Sequence, residues 1–361
     1  MTRLARPRGR VPAGVAAALP GAAALLLVFL TACTAAPTDV PSPSGAASPP
    51  SGGLPGSPSL GPSQNSPEPT LTARLIGTWR TGSAMPTPRT EVGGTVLDGK
   101  LYVAGGLVLG GDTVATVEVY DPATDSWATV APLPQPRDHL GIAALDGRVY
   151  VAGGGIFGTG AYADAWAYDP ATGAWSAIAP LPAARVAHAL VALDGKLYVV
   201  GGVVAAGPPS GIAVYDPATD RWDAARAPAP TVREHVAAVA AEGRVWLIGG
   251  RWAGNLAAIE AYDPGTDYWT TLPAMPTPRG GLTAAVLAGG LIHVTGGESE
   301  SETFGEHEVF DPRAMSWSPY PDLPTPRHGL ASGVIDGHWI VAGGGTQPGL
   351  SVSDIVQIWV P

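Results

Sequence analysis

A single cysteine in 361 residues, Cys33, excludes a disulfide framework. Charge is sparse as well: 14% of residues are charged, and 30 Asp and Glu outnumber 20 Lys and Arg for a formal net charge of -10. A chain of that sign is a poor match for nucleic acid or an anionic membrane surface. Helical periodicity sustained over ten residues is missing from the long C-terminal part. In place of these features stand 49 Gly, 38 Pro and 45% hydrophobic residues, a composition that suits an all-β protein with many turns and a sizeable core.

What is present is periodic. A glycine pair closes an apolar run at Gly105/Gly106, Gly153/Gly154, Gly201/Gly202, Gly249/Gly250, Gly296/Gly297 and Gly343/Gly344, with spacings of 48, 48, 48, 47 and 47 residues. Each unit has a Pro-rich approach, an apolar run, a D-G or E-G turn, a second run ending at the glycine pair, a variable loop, a run ending Tyr-Asp-Pro, and a tryptophan. The runs are short, rich in Val, Tyr, Ile and Leu, and bounded by turn residues, which predicts four strands per unit. A four-stranded meander cannot bury both of its faces alone. Six of them packed face to face around an axis can, which predicts a six-bladed β-propeller.

The double glycines, the aromatic series Tyr120, Tyr168, Tyr215, Tyr262 and Phe310, and the series Trp127, Trp175, Trp222, Trp269 and Trp317 resemble the kelch family over residues 75–361. The last unit stops at Trp359-Val360-Pro361 without a fourth strand, while Leu75 to Ser83 carries Trp79 and reads as one. The N-terminal strand is therefore expected to complete the last blade and leave the ring without an open edge.

Two segments precede the expected propeller of residues 71–361. Residues 1–32 hold Arg3, Arg6, Arg8 and Arg10, then the apolar run from Gly21 to Leu30, and no acid, which is the pattern of a signal sequence. It ends in Leu30-Thr31-Ala32-Cys33, which resembles a bacterial lipobox with Cys33 as the lipidated residue. Residues 33–70 are Pro-, Ser- and Gly-rich and are expected to be a tether. Loss of the signal moves the formal charge from -10 to -14. The expected product is extracytoplasmic, monomeric and held at the membrane only through its lipid.

Alternating strand direction puts the loops entering first strands and those leaving second strands on one face of the ring. The latter differ from blade to blade, so a binding site is expected there. Every unit begins with an arginine, Arg89, Arg137, Arg185, Arg233, Arg279 or Arg327. These could ring the axis and hold carboxylates, or each could do one repeated structural job. Neighbouring residues that vary between units are Glu91, Asp138 with His139, His188, Glu234 with His235, and His328. They are candidates for a polar pocket capable of hydrogen bonding or proton transfer. Arg251 and Trp252 are a candidate contact pair for a sugar or a protein. The acids Glu298, Glu300, Glu302, Glu306 and Glu308 could hold calcium but read as a solvated loop, and neither a metal nor a cofactor is expected. A G-x-G-x-x-G string at 153–158 opens no helix and repeats with the array, so it is no dinucleotide fingerprint.

The main functional expectation is a non-catalytic propeller binding an extracellular glycan or protein through its variable-loop face. The alternative is a sugar-acting enzyme. Copper oxidases related to galactose oxidase need a propeller cysteine and are excluded, whereas sialic acid mutarotases share the six-bladed kelch ring. For that chemistry Glu91, Glu234, His139 and His235 could serve. A structural envelope or assembly factor is the remaining reading.

Overall fold

The computed structural model describes residues 77–204 and 211–361. The readings made for residues 1–70, Cys33 among them, lie outside the described residues. No helix among the described residues is long and apolar enough to cross a membrane.

Six four-stranded antiparallel sheets form the ring. The first blade, Gly93–Leu97, Lys100–Ala104, Val117–Asp121 and Ser126–Thr129, sets the pattern for the rest. Its second and third strands are buried because both faces lie against neighbouring sheets, while the fourth is mostly exposed. Each D-G turn uses the left-handed backbone that closes a tight hairpin, as at Asp98 and Gly99 with φ of 49° and 70°.

Closure follows the expected route. Thr78–Thr81 pairs antiparallel with Val356–Val360, Trp79 opposite Trp359, and completes the blade of Ala331–Ile335 and His338–Ala342. The fourth-strand tryptophans explain why the ring coheres. Each indole N–H donates to a backbone carbonyl in the linker before its own blade: Trp127 to Ser83, Trp175 to Ala131, Trp222 to Ala179, Trp269 to Ala227, Trp317 to Pro273 and Trp79 to Pro321, all at 2.8–3.0 Å. One amphipathic side chain thus fills an inter-blade gap and satisfies an otherwise unpaired carbonyl.

In the turn that follows the third strand, Tyr120, Tyr215 and Tyr262 donate to Asp125, Asp220 and Asp267, and those carboxylates also accept N–H groups of the preceding linker. In the second blade Gly173 occupies the corresponding position, and in the fifth Phe310 and Met315 replace both partners.

His293 stands in a second strand, at the position that Tyr102, Tyr150 and Tyr198 hold in earlier blades. Its Nδ1 lies 2.8 Å from Nε2 of the buried His307, among Trp79, Trp339, Trp359 and Tyr320 at the seam where the ring closes. Burial lowers both imidazoles, His293 to about 4 and His307, beside His293, to about 3.

Candidate functional site

The six first strands enclose an axial channel of about 440 Å³, lined by small residues such as Thr95, Ala143, Ala189, Ala238, Thr283 and Gly333. At one end the chain narrows to a ring of single residues, each two positions past a blade's opening arginine: Glu91, His139, Ala187, His235, Gly281 and Gly329. All six have left-handed backbone, with φ between 50° and 70°. Their peptides hydrogen-bond from blade to blade: His139 N to Glu91 O, Ala187 N to His139 O, His235 N to Ala187 O, Gly281 N to His235 O and Gly329 N to Gly281 O, at 2.9–3.1 Å. Val92 N, 3.4 Å from Gly329 O, completes the circle.

This ring explains why three dissimilar side chains meet. Glu91, His139 and His235 come from blades one, two and four, 144 residues apart at the extremes, and occupy one structural position. Gly281 and Gly329 leave the opposite side clear. A Cβ at position 329 would stand 2.7 Å from a Glu91 carboxylate oxygen, so glycine there makes room for the acid.

Around these three the neighbouring residues form a nearly continuous polar network. His139 Nδ1 lies 2.7 Å from Asp138 and its Nε2 3.2 Å from Glu91. His235 Nδ1 bonds Glu234, and the two imidazoles meet edge to face with centroids 4.9 Å apart. His328 Nδ1 is 3.2 Å from the other Glu91 oxygen, and its Nε2 is 3.5 Å from Glu298. Arg251 donates to Glu234 at 2.9 Å, to Glu298 at 2.8 Å and to His235 Nε2 at 3.0 Å. Thr113, from the first blade's variable loop, donates to Asp138 at 2.6 Å.

The charges follow from this packing. Burial acts to raise the Glu91 carboxyl but is outweighed by His139, His328 and His235, which hold it well below the ordinary carboxylate range. Burial likewise opposes a charged His139, yet Glu91, Asp138 and Glu234 raise it to about 9, so it is an imidazolium at neutral pH. The same balance raises His328 and lowers Glu234. The mouth therefore pairs a proton donor with ionised carboxylates in a partly enclosed setting.

The opening arginines are elsewhere. Arg89, Arg137, Arg233, Arg279 and Arg327 are at most 1% exposed and Arg185 6%, each turned into its own blade and not around the axis. Arg89 meets Glu118 at 2.8 Å, Arg233 meets Glu260 at 3.0 Å and Arg279 meets Glu308 at 3.0 Å. Arg137 pairs with Asp164 at 2.7 Å under the ring of Tyr162. Arg327 donates to Gly343 O and Gln357, and Arg185 to Gly201 O. A guanidinium buried this deeply needs carbonyls or a carboxylate around it. The repeat supplies both at fixed offsets, so a carboxylate-binding arginine ring does not form.

The remaining candidates divide. His188 lies one residue beyond the axial position, buried, with Nε2 3.1 Å from Ala152 O and lowered to about 3 by burial and Arg185. It belongs to the packing. Arg251 does not form a contact pair with Trp252: the first is locked between two carboxylates while the second stands 48% exposed on its loop. The acids of the fifth blade's loop are not gathered for calcium, since Glu298 turns into the mouth and Glu308 onto Arg279. Sequence reasoning missed Glu298 and Arg251 as members of the mouth. It also missed Glu118, Glu260 and Glu308 as arginine partners, although all three stand two residues before the aromatic of the third strand, a repeated offset that could have revealed them.

Six four-stranded blades with this double-glycine, Tyr and Trp pattern define a kelch-type β-propeller. The model of the KLHDC2/KLHL20/DRC7 Kelch-repeats domain matches residues 70–202 and again 187–359, and the chain belongs to that family. No curated protein matches it. Among solved structures the ring is similar to the structure of YjhT, with a TM-score of 0.65 and 22% identity over 76% of this chain and 96% of that one. In all 955 chains of solved structures match, so the architecture by itself selects no function.

The expectation that the chain is not an enzyme needs correction. A ring that superposes on nearly the whole of YjhT gives no basis for setting catalysis aside. Its mouth, moreover, is a recessed cluster of acid and base groups and not a flat contact surface. The exclusion of galactose oxidase chemistry is unaffected, since no cysteine occurs in residues 71–361.

Proposed function

We propose that the protein acts on a sugar at the axial mouth by general acid–base catalysis, as its resemblance to sialic acid mutarotases implies. The observation that carries this reading is the convergence of Glu91, His139 and His235 on one ring of the axis. Opening a cyclic sugar at its anomeric centre requires a base for the anomeric hydroxyl proton and an acid for the ring oxygen. His139, charged at neutral pH, supplies the acid, and the adjacent His235 or Glu91 supplies the base. Arg251 and His328 position the carboxylates between them. The test is anomeric equilibration of a panel that includes N-acetylneuraminate, glucuronate and galactose, followed by NMR with the full chain. Equilibration of at least one sugar is expected to run faster than in buffer and to lose at least 10²-fold in Glu91→Gln and His139→Ala, the usual scale for one acid–base group. No acceleration of any sugar would overturn the reading.

We further propose that residues 1–32 export the chain and that Cys33 carries the lipid, with residues 33–70 as tether. The lipobox-like Leu30 to Cys33 and the composition of the tether support this. Metabolic labelling with a fatty acid, lost in Cys33→Ser, is the expected result. Unchanged labelling in that variant would remove the anchor.

A further inference from the structure

The axial ring holds two imidazoles and one carboxylate whose ligand atoms all lie within 4.8 Å of one another. We infer that Glu91, His139 and His235 form a binding site for a divalent transition-metal ion.

Three observations carry this. The first is the donor set, since two histidines and a carboxylate converging at the axis suit zinc or a first-row divalent ion with coordination positions left open. The second is orientation. In metal sites the ligating histidine gives its other nitrogen to a carboxylate, and the ligating carboxylate is itself hydrogen-bonded. All three residues are arranged this way: His139 Nδ1 is held by Asp138, His235 Nδ1 by Glu234, and the second Glu91 oxygen by His328. What remains turned toward the common space is His139 Nε2, His235 Nε2 and Glu91 Oε2. The third is backbone cost. Glu91, His139 and His235 sit at φ of 51°, 50° and 50°, where a residue with a Cβ is strained. The same ring position is filled by glycine at 281 and 329 and by Ala187 at φ of 54°, so the fold itself does not require a polar side chain there.

Two groups compete for the site: the proton on His139 Nε2, which faces Glu91 at 3.2 Å and is released to the medium when that nitrogen ligates, and Arg251. Arg251 donates to His235 Nε2 at 3.0 Å, so metal entry displaces that bond while Glu234 and Glu298 keep the guanidinium nearby. Arg251 therefore weakens metal binding, which separates this site from a purely structural polar network.

The site uses the same three residues as the sugar reading, and with an ion bound they no longer serve as its acid and base, but the metal test needs no sugar and stands or falls on its own. Titration of the full chain with Co²⁺ at pH 7.5, read by visible absorption and by displacement with Zn²⁺, is expected to show one ion per chain. His139→Ala and His235→Ala abolish stoichiometric binding. Glu234→Gln weakens it about 10- to 100-fold through the lost orienting bond. Arg251→Ala tightens it, and the exposed Glu300→Gln leaves it unchanged. Thermal melts verify that each variant is folded. Absence of stoichiometric Co²⁺ binding, or binding insensitive to both histidines and to Arg251→Ala, overturns the site.

Discussion

The arginines that open the blades and the lone Arg251 of the fourth blade's loop carry the same side chain into opposite roles. Arg233 is 1% exposed and faces Glu260, a pairing repeated with small changes around the ring. Arg251 occurs once and joins Glu234, Glu298 and His235, residues of blades four and five. A feature present in every blade answers a problem that every blade has. A feature present in one blade is free to answer something else. Residues that keep the period build the scaffold, and residues that depart from it gather at the axial mouth.

Some departures break that rule by lying in the core. His188, His293 and His307 replace apolar or tyrosine positions and are held neutral, at about 3, 4 and 3. Their folded values lie below the unfolded value near 6.5, so the unfolded state binds protons first and stability declines as pH falls below about 6.5. The slope approaches about 1.4 kcal/mol per pH unit for each histidine. His139 has the opposite sign: its contribution is complete below 6.5 and is lost as pH rises through about 9. Urea unfolding from pH 4 to 10 is expected to show a maximum near neutrality, and His293→Phe to flatten the acid limb. An acid limb unaffected by that substitution would place the titrating groups elsewhere.

The two kinds of arginine also differ in what their removal costs. Arg233→Ala leaves Glu260 buried and unpaired and is expected to cost about 3–5 kcal/mol. Arg251→Ala, at a partly exposed position, should cost less than about 1 kcal/mol while abolishing the proposed sugar turnover. Paired unfolding and activity measurements decide this. Equal stability losses would mean that Arg251 is scaffold after all.

Within the scaffold, two equivalent tyrosines differ by a single hydrogen bond. Tyr215→Phe removes a hydrogen bond to Asp220 and should cost about 1 kcal/mol, whereas Tyr168→Phe, whose turn carries Gly173, should cost close to nothing. Unfolding midpoints of the two variants measure the difference.

Much of the molecule was legible before folding because a ring of like blades asks the same question six times. Six glycine pairs, five aromatic pairs and the orphan Trp79 were enough to give strand count, blade count and closure. His139, His235 and Glu91 were legible as candidates because they vary where the repeat is otherwise constant. His188, equally variable and one residue further along, was not separable from them, since a shift of one residue in a strand turns a side chain to the other face.

What the amino-acid order determined by itself is the architecture, since hydrophobic spacing and turn residues are local and leave one way to cover every sheet. What only the tertiary structure decided is which polar residues face the axis and which are buried in the blades. That choice rests on peptides hydrogen-bonded between blades and on left-handed residues far apart in the chain, contacts that exist only once the ring has closed.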